Sequence, residues 1–255
     1  MKLSSKFSPA TPRIKAIYAQ QPHGVDQLLK LLDGKTRVYI DYANVRPWSE
    51  KLQWHVDPKR LMQFYRSFPA IKEVSLYNGI LVGDKRSEQF AVEVPKMGYR
   101  FRTKPVKIMR HSIDASSVSR QSTDLIAQFV RRALLRQFDI ATVEYLNDKL
   151  YELNTKGIYA IEDKKCNFDV EIGTDMLLAS ERGEVDTFCL WSADSDFADS
   201  VEQLLDSGHK VILFATTRRV SRELNELQSK GLFIFDIAKI RNYICWKQEL
   251  TIHGV

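Results

Sequence analysis

Apolar positions in this chain fall into short unbroken runs that alternate with longer stretches of helical spacing. The runs are Arg37–Ile40 (RVYI), Glu73–Leu81 (EVSLYNGIL), Tyr99–Arg102, Thr187–Trp191 (TFCLW), Lys210–Phe214 (KVILF) and Leu232–Asp236 (LFIFD), with a further strand edge at Tyr159–Ile161. They are too short for amphipathic helices and rich in β-branched and aromatic residues, which predicts strands buried on both faces. Residues 25–32, 58–68, 84–97, 142–154 and 169–183 repeat apolar side chains three and four apart, as do a segment ending near Leu205, one at 222–227 and a packing helix at 240–246. That spacing predicts helices with one buried side. Strand and helix in alternation predict an α/β fold, a parallel sheet with right-handed crossovers flanked by helices.

Two segments stand outside the alternation. Residues 1–34 carry Lys2, Lys6, Arg13 and Lys15 with no acid before Asp26, and Pro9, Pro12 and Pro22 among them. They predict a loosely ordered basic arm, either contacting nucleic acid or simply solvated, followed by a short helix. In residues 112–155, Ser122 can cap a helix with Ile126, Phe129, Val130, Ala133 and Leu134 on one side, and Thr142–Asn154 repeats the pattern up to Lys156-Gly157. An inserted helical hairpin is expected there. The organisation is then one domain over 35–239 carrying this insertion, the arm before it, and a C-terminal helix and tail over 240–255.

Size agrees, since 255 residues at 44% hydrophobic bury one sizeable core and leave little for a second domain. A formal charge of +6 permits a polyanionic partner without requiring one. Its distribution says more: Lys96–Arg136 holds ten cations against Asp114 and Asp124, so the rest of the chain is slightly acidic. Tyr99 and Phe101 interleave with Arg100, Arg102 and Lys104, and Arg131 and Arg132 fall on the outward side of the expected helix. Arginines beside aromatics suit phosphate contact and base stacking, so these five cations are the candidates for substrate binding; a solvated basic face is the alternative. Three scattered cysteines, Cys166, Cys189 and Cys245, form neither a disulfide framework nor a zinc motif, which fits a reducing cytoplasm. The N-terminus has no apolar run of signal-peptide length, and nowhere are there 18 consecutive apolar residues, so no membrane partner is expected.

The chemistry is concentrated where strands end. TFCLW runs into Ser192 and then Asp194, Asp196 and Asp199; RVYI runs into Asp41, with Asn44 three residues on. Asp169 opens a helix, and Asp175 follows it about two thirds of a turn out of phase, a better supporting residue than a direct ligand. Each acid alone could be a turn former or helix cap. Parallel strands, however, bring their C-terminal ends to one rim, and carboxylates gathered there must be solvated, protonated or bridged by a cation. A hard divalent ion is the economical bridge. None of the five histidines stands in a Ser-His or Cys-His arrangement, and no GxxxxGK phosphate loop is present.

The order YIDYANV, FDVEIGTDMLLA, LWSADSDFADSVEQLLDSGHKVILFA and FIFDI resembles the NYN domain family, a branch of the PIN-like ribonuclease superfamily, over roughly Thr36–Ile237. The resemblance implies a PIN-like (Rossmannoid) parallel sheet and a Mg²⁺- or Mn²⁺-dependent ribonuclease. It places the first-strand acid at Asp41 with Asn44 as its polar companion, the helix-start acid at Asp169 with Asp175 as the second of that block, and the final pair at Asp194 and Asp196. Asp41, Asp169, Asp194 and Asp196 are thus the implied metal ligands, with Asn44 and Asp196 orienting waters. The family's usual Gly before the last acidic pair is Ala193 here, a strained substitution if that position requires positive φ.

A ribonuclease on single-stranded RNA is the first functional expectation, and a homo-oligomer is compatible with it. A non-catalytic RNA- or protein-binding regulatory module on the same fold is the second. A phosphohydrolase of small phosphates fits less well, because DYAN lacks the two-carboxylate start expected there.

Overall fold

Six of the seven runs pair as one parallel sheet in the computed structural model, which describes residues 6–216 and 220–251. The strands are β1 (Thr36–Asp41), β2 (Ile71–Tyr77), β3 (Arg100–Arg102), β6 (Thr187–Trp191), β7 (Lys210–Ala215) and β8 (Phe233–Asp236), in the order β3-β2-β1-β6-β7-β8. From β1 the chain steps outward through β2 and β3, then returns to β6 on the other side and steps outward again. The direction therefore reverses between β1 and β6, and in open α/β sheets that crevice is where ligands sit. Register holds the two strand ends level: Ile40 lies opposite Trp191, and Asp41 opposite Tyr77.

The core forms because β6 is buried at all five positions. Trp191 stacks on Phe214 with ring centroids 5.2 Å apart and 7° between planes, faces Trp48 at 6.3 Å, and donates its indole N–H to the Tyr65 hydroxyl. Around the sheet pack α2 (His23–Leu31), α5 (Pro58–Tyr65), α6 (Lys85–Lys96), α9 (Asp169–Glu181), α10 (Ala198–Asp206), α11 (Arg222–Glu226) and α12 (Arg241–Ile244), with α3 (Tyr42–Val45) and α4 (Ser49–Leu52) as single turns after β1. All three cysteines are free. Among the described residues no helix is long and apolar enough to cross a membrane.

The N-terminal expectation needs correction. Residues 12–20 form α1 (Pro12–Gln20), capped by Thr11 and burying Ile14, Ile17 and Tyr18, while the Phe7 ring packs 4.8 Å from Tyr18 and 5.1 Å from Phe68. These apolar residues outweigh the basic composition, and Pro12 sits in the first turn, where it starts a helix rather than breaking one. Lys2 lies outside the described residues.

Residues 106–165 form a compact unit of their own, wider than the expected insertion, and the rest of the chain forms the other. The unit is not a helical hairpin. It contains an antiparallel pair, β4 (Lys107–Ser112) with β5 (Ala160–Lys165), and one long helix, α8 (Ile140–Thr155). The first expected helix is reduced to a 3-10 turn at 126–128 and α7 (Arg132–Leu135), because Arg131 is extended between them and Phe129 and Leu134 remain 46% and 50% exposed. Leu125 and Ile126 alone are buried among the apolar residues of 125–135, too little of a face to stabilise a longer helix. Asparagines tie the segment instead: the Asn147 side chain donates to the carbonyls of Arg120 and Ser122, and Asn154 to those of Ile113 and Ile158.

Candidate active site

Asp41 ends β1 and is 5% exposed. One of its oxygens accepts from the Asn44 amide at 3.3 Å, which starts α3; the other is 3.5 Å from the Ser192 hydroxyl, the first residue beyond β6. Asn44 Oδ1 in turn accepts from the Trp48 indole at 3.2 Å and from the Ala193 amide at 3.3 Å. The turns after β1 and β6 are thereby joined by side chains at the reversal point. Asp194 caps the 3-10 turn at 195–197 by accepting from the Asp196 amide, and its own amide donates to the Ser192 hydroxyl oxygen at 3.3 Å. Among the described residues only Gln53 outside glycine has positive φ, so Ala193 occupies its position without that strain.

Asp169 reaches the same rim as the first residue of α9, where exposed helix N–H groups favour a carboxylate. α9 approaches α10 closely because Gly173 has no side chain: a Cβ there would stand 2.7 Å from Ser200 Oγ. The acids feel one another. Burial, then the charges of Asp169 and Asp194, raise the Asp41 carboxyl to about 7 against the hydrogen bonds of Asn44 and Ser192. Burial followed by Asp194, Asp196 and Glu171 raises Asp169 as well. Glu171, which the sequence reading passed over, pairs with Lys104, and that hydrogen bond lowers its carboxyl; Lys104 also lies 4.6 Å over the Phe168 ring. Only the i, i+2 spacing of Asp169 and Glu171 hinted at this role.

Asp175 does not support the cluster. It accepts from the Tyr77 hydroxyl at 2.7 Å and faces Arg102 at 3.8 Å. Of the cations expected to meet substrate, Arg100 faces Glu73 at 3.0 Å, Arg102 faces Asp175 and Lys104 faces Glu171, so all three are ion-paired. Arg131 and Arg132 are exposed in the 106–165 unit.

The donor set is chemically suited to a hard divalent ion, being carboxylate and amide oxygen throughout. As the side chains stand, no three His, Cys, Asp or Glu among the described residues form a ligand set for one ion. The four-carboxylate cage implied by the resemblance is therefore not assembled. Ions of the Mg²⁺ type need less, since one or two carboxylates plus waters and a phosphate suffice.

A doubly wound parallel sheet with acids from β1, α9 and the turn after β6 at its reversal point defines a Rossmann-like α/β protein with an acidic rim. The chain belongs to the NYN domain family, whose model matches residues 35–234 and whose members are generally nuclease-type hydrolases. It is 23% identical over 208 residues to the low amplitude and bright protein LabA of Synechococcus elongatus, covering 81% of this chain and 86% of that one. A crystal structure of a protein of unknown function from Vibrio parahaemolyticus aligns with a TM-score of 0.49 and 17% identity over 84% of this chain and 96% of that one.

Proposed function

We propose that this protein is a divalent-metal-dependent ribonuclease that hydrolyses phosphodiester bonds of single-stranded RNA in the reducing cytoplasm. The observation that carries this reading is that Asp41, Asp169 and Asp194, far apart in sequence, come close enough for the charges of Asp169 and Asp194 to raise the buried Asp41 carboxyl and for that of Asp194 to raise Asp169. Carboxylates held in that state are neutralised by a proton or a cation. Asp41, with Asp169 or Asp194 beside it, would hold Mg²⁺ or Mn²⁺, and Asp196, exposed on the same turn, would meet the ion's waters. Bound there, such an ion supplies charge neutralisation at the phosphate and an acidic water.

The chain's own residues do the positioning. The Asn44 amide and Ser192 hydroxyl aim the Asp41 oxygens, and the Asn44 side chain holds the two turns together. Lys104 moderates the charge at Asp169 directly and also pairs with Glu171. Arg131 and Arg132 form no ion pair among the described residues and are available to phosphate, whereas RNA would have to displace acids from Arg100, Arg102 and Lys104. Purified protein with Mn²⁺ is expected to cleave single-stranded RNA, and Asp194→Asn to abolish cleavage with an unchanged melting curve. Equal cleavage by that variant, or none by the wild type with any divalent ion, counts against the proposal.

The lack of an assembled three-acid set favours a second reading, a non-catalytic RNA- or protein-binding module on the same fold. It predicts salt-sensitive RNA binding that is unchanged by EDTA and by Asp41→Asn.

A further inference from the structure

The cations on and just beyond β3 are neutralised by acids, but a second set, on the flank built from residues 42–60 and 241–251, is not. Arg46, Lys59 and Lys247 form no ion pair among the described residues. Main-chain pairing builds this flank. Val56 bridges Cys245, and the Trp246 amide donates to the His55 carbonyl at 3.3 Å, which lays the two rings against each other with centroids 4.3 Å apart and 16° between planes. The pair is open to solvent: Trp246 is 41% exposed and the His55 side chain 49%.

The stacked rings line a cleft of about 380 Å³ with Tyr42, Arg46 and Glu50. Glu249 is committed to His55, accepting from its main-chain N–H and lying against Nδ1, both at 2.8 Å, which leaves Glu50 as the acid of this cleft. The next residues along both segments continue the surface. Lys59, Arg60 and Lys247 join Arg13 around a second cleft of about 410 Å³ whose single acid is Asp57. Arg60 stands 3.7 Å from Asp57, and its Nη1 is buried without a hydrogen-bond partner among the described residues. Burial and then Arg60 draw the Arg13 guanidinium down to about 10, as expected where cations crowd with too little counter-charge. An orphan N–H on Arg60, with three further cations and one acid around the cleft, is matched by a water or an anion, and the excess of positive charge favours the anion.

The first cleft connects to the acidic rim through one short segment, and His55 and Trp246 on its wall lead by chain to Asp57 and Lys247 of the second. Tyr42 follows Asp41 directly, and at about 1.5 Å per residue Arg46 lies roughly 8 Å of axial rise beyond it. We propose that this flank is the strand-binding track of the acidic site: a nucleobase stacks on the exposed His55–Trp246 pair, and backbone phosphates run from Arg46 into the cleft of Arg13, Lys59, Arg60 and Lys247. The proposal rests on the ribonuclease reading. Ring faces accept any base and cations follow the backbone, so recognition on this track is tolerant of sequence. Arg13, Trp246 and Lys247 lie outside the family match at 35–234, while Arg46, His55, Lys59 and Arg60 lie inside it.

The test is anisotropy of a labelled single-stranded RNA dodecamer with the full chain in EDTA, with Mn²⁺-dependent cleavage measured separately. Trp246→Ala is expected to weaken binding about 5- to 150-fold while Trp246→Phe, which keeps a ring, stays within about threefold of wild type. Lys59→Glu with Lys247→Glu should weaken binding further and flatten the slope of log K against log salt by about 1.4. Melting curves, and the Phe variant, separate lost stacking from lost folding. Wild-type affinity in both folded variants overturns the track, and if the wild type still cleaves, the ribonuclease reading survives it. Binding that responds to the variants without cleavage under any divalent ion supports the track and overturns the ribonuclease. AMP binding as tightly as the dodecamer would overturn the strand assignment in favour of a mononucleotide site.

Discussion

Asn44 Oδ1 lies 3.3 Å from the backbone nitrogen of Ala193, so the turn that follows β1 holds the turn that follows β6 by one hydrogen bond. The same oxygen accepts from the Trp48 indole, whose ring is 1% exposed. Asn44→Ala should therefore leave a buried indole N–H unpaired, costing about 1–3 kcal/mol by chemical denaturation. Because the two acidic turns keep only the 3.5 Å contact of Ser192 with Asp41, cleavage is expected to fall about 10- to 100-fold, an effect of the size seen when ligand-orienting partners are removed. A loss of stability with unchanged turnover would remove Asn44 from any positioning role.

Asp41 makes the metal-free protein sensitive to pH. Its carboxyl titrates at about 7 in the fold against 3.8 in the free side chain, so the folded state keeps a proton that the unfolded state has already lost. Its contribution to stability is complete below about pH 4 and is lost as pH rises through about 7, a difference on the order of 2–4 kcal/mol by linkage. In EDTA, Asp41→Asn should thus melt above wild type at pH 8 and lose that advantage at pH 5. Equal melting differences at both pH values would show that Asp41 is not held in this state.

Divalent ions should act in the opposite sense on the wild type. An ion that binds only the folded protein stabilises it in proportion to the logarithm of its concentration over Kd, so Mn²⁺ should raise Tm at pH 8 in wild type and not in Asp41→Asn. Thermal melts with increasing Mn²⁺ read this without any substrate.

Gly173 sets the distance between α9 and α10. Gly173→Ala meets only the Ser200 hydroxyl, which can rotate away, and should cost less than about 1 kcal/mol. Gly173→Leu must push α9 outward and move Asp169 with it, so cleavage should be lost while most secondary structure by circular dichroism remains. An active Leu variant would mean that Asp169 is dispensable.

Arg100→Ala and Arg102→Ala should change RNA affinity by less than about twofold, because each guanidinium already faces a carboxylate and exposed pairs of this kind are worth about 0–1 kcal/mol. A tenfold loss in either would return substrate binding to β3.

Much of the architecture was legible along the chain, because burial on both faces writes itself as an unbroken apolar run. TFCLW and KVILF read directly as β6 and β7, and the acids that follow β1 and β6 were visible as breaks in polarity. Local pattern failed where it had no tertiary partner to report. Phe129 and Leu134 have helical spacing but no surface to cover, and the Pro-rich, basic start concealed α1, whose Tyr18 packs on Phe7, itself against the distant Phe68 ring.

Sequence alone determined which residues could carry charge to a rim, since strand direction and the acid after each strand are local properties. Tertiary structure decided which charges are free. Glu73, Asp175 and Glu171 neutralise the cations around β3 from other elements, and the bridge between Val56 and Cys245 brings His55 and Trp246 together across almost the whole chain. Such pairings depend on distances through space, which no spacing along the chain encodes.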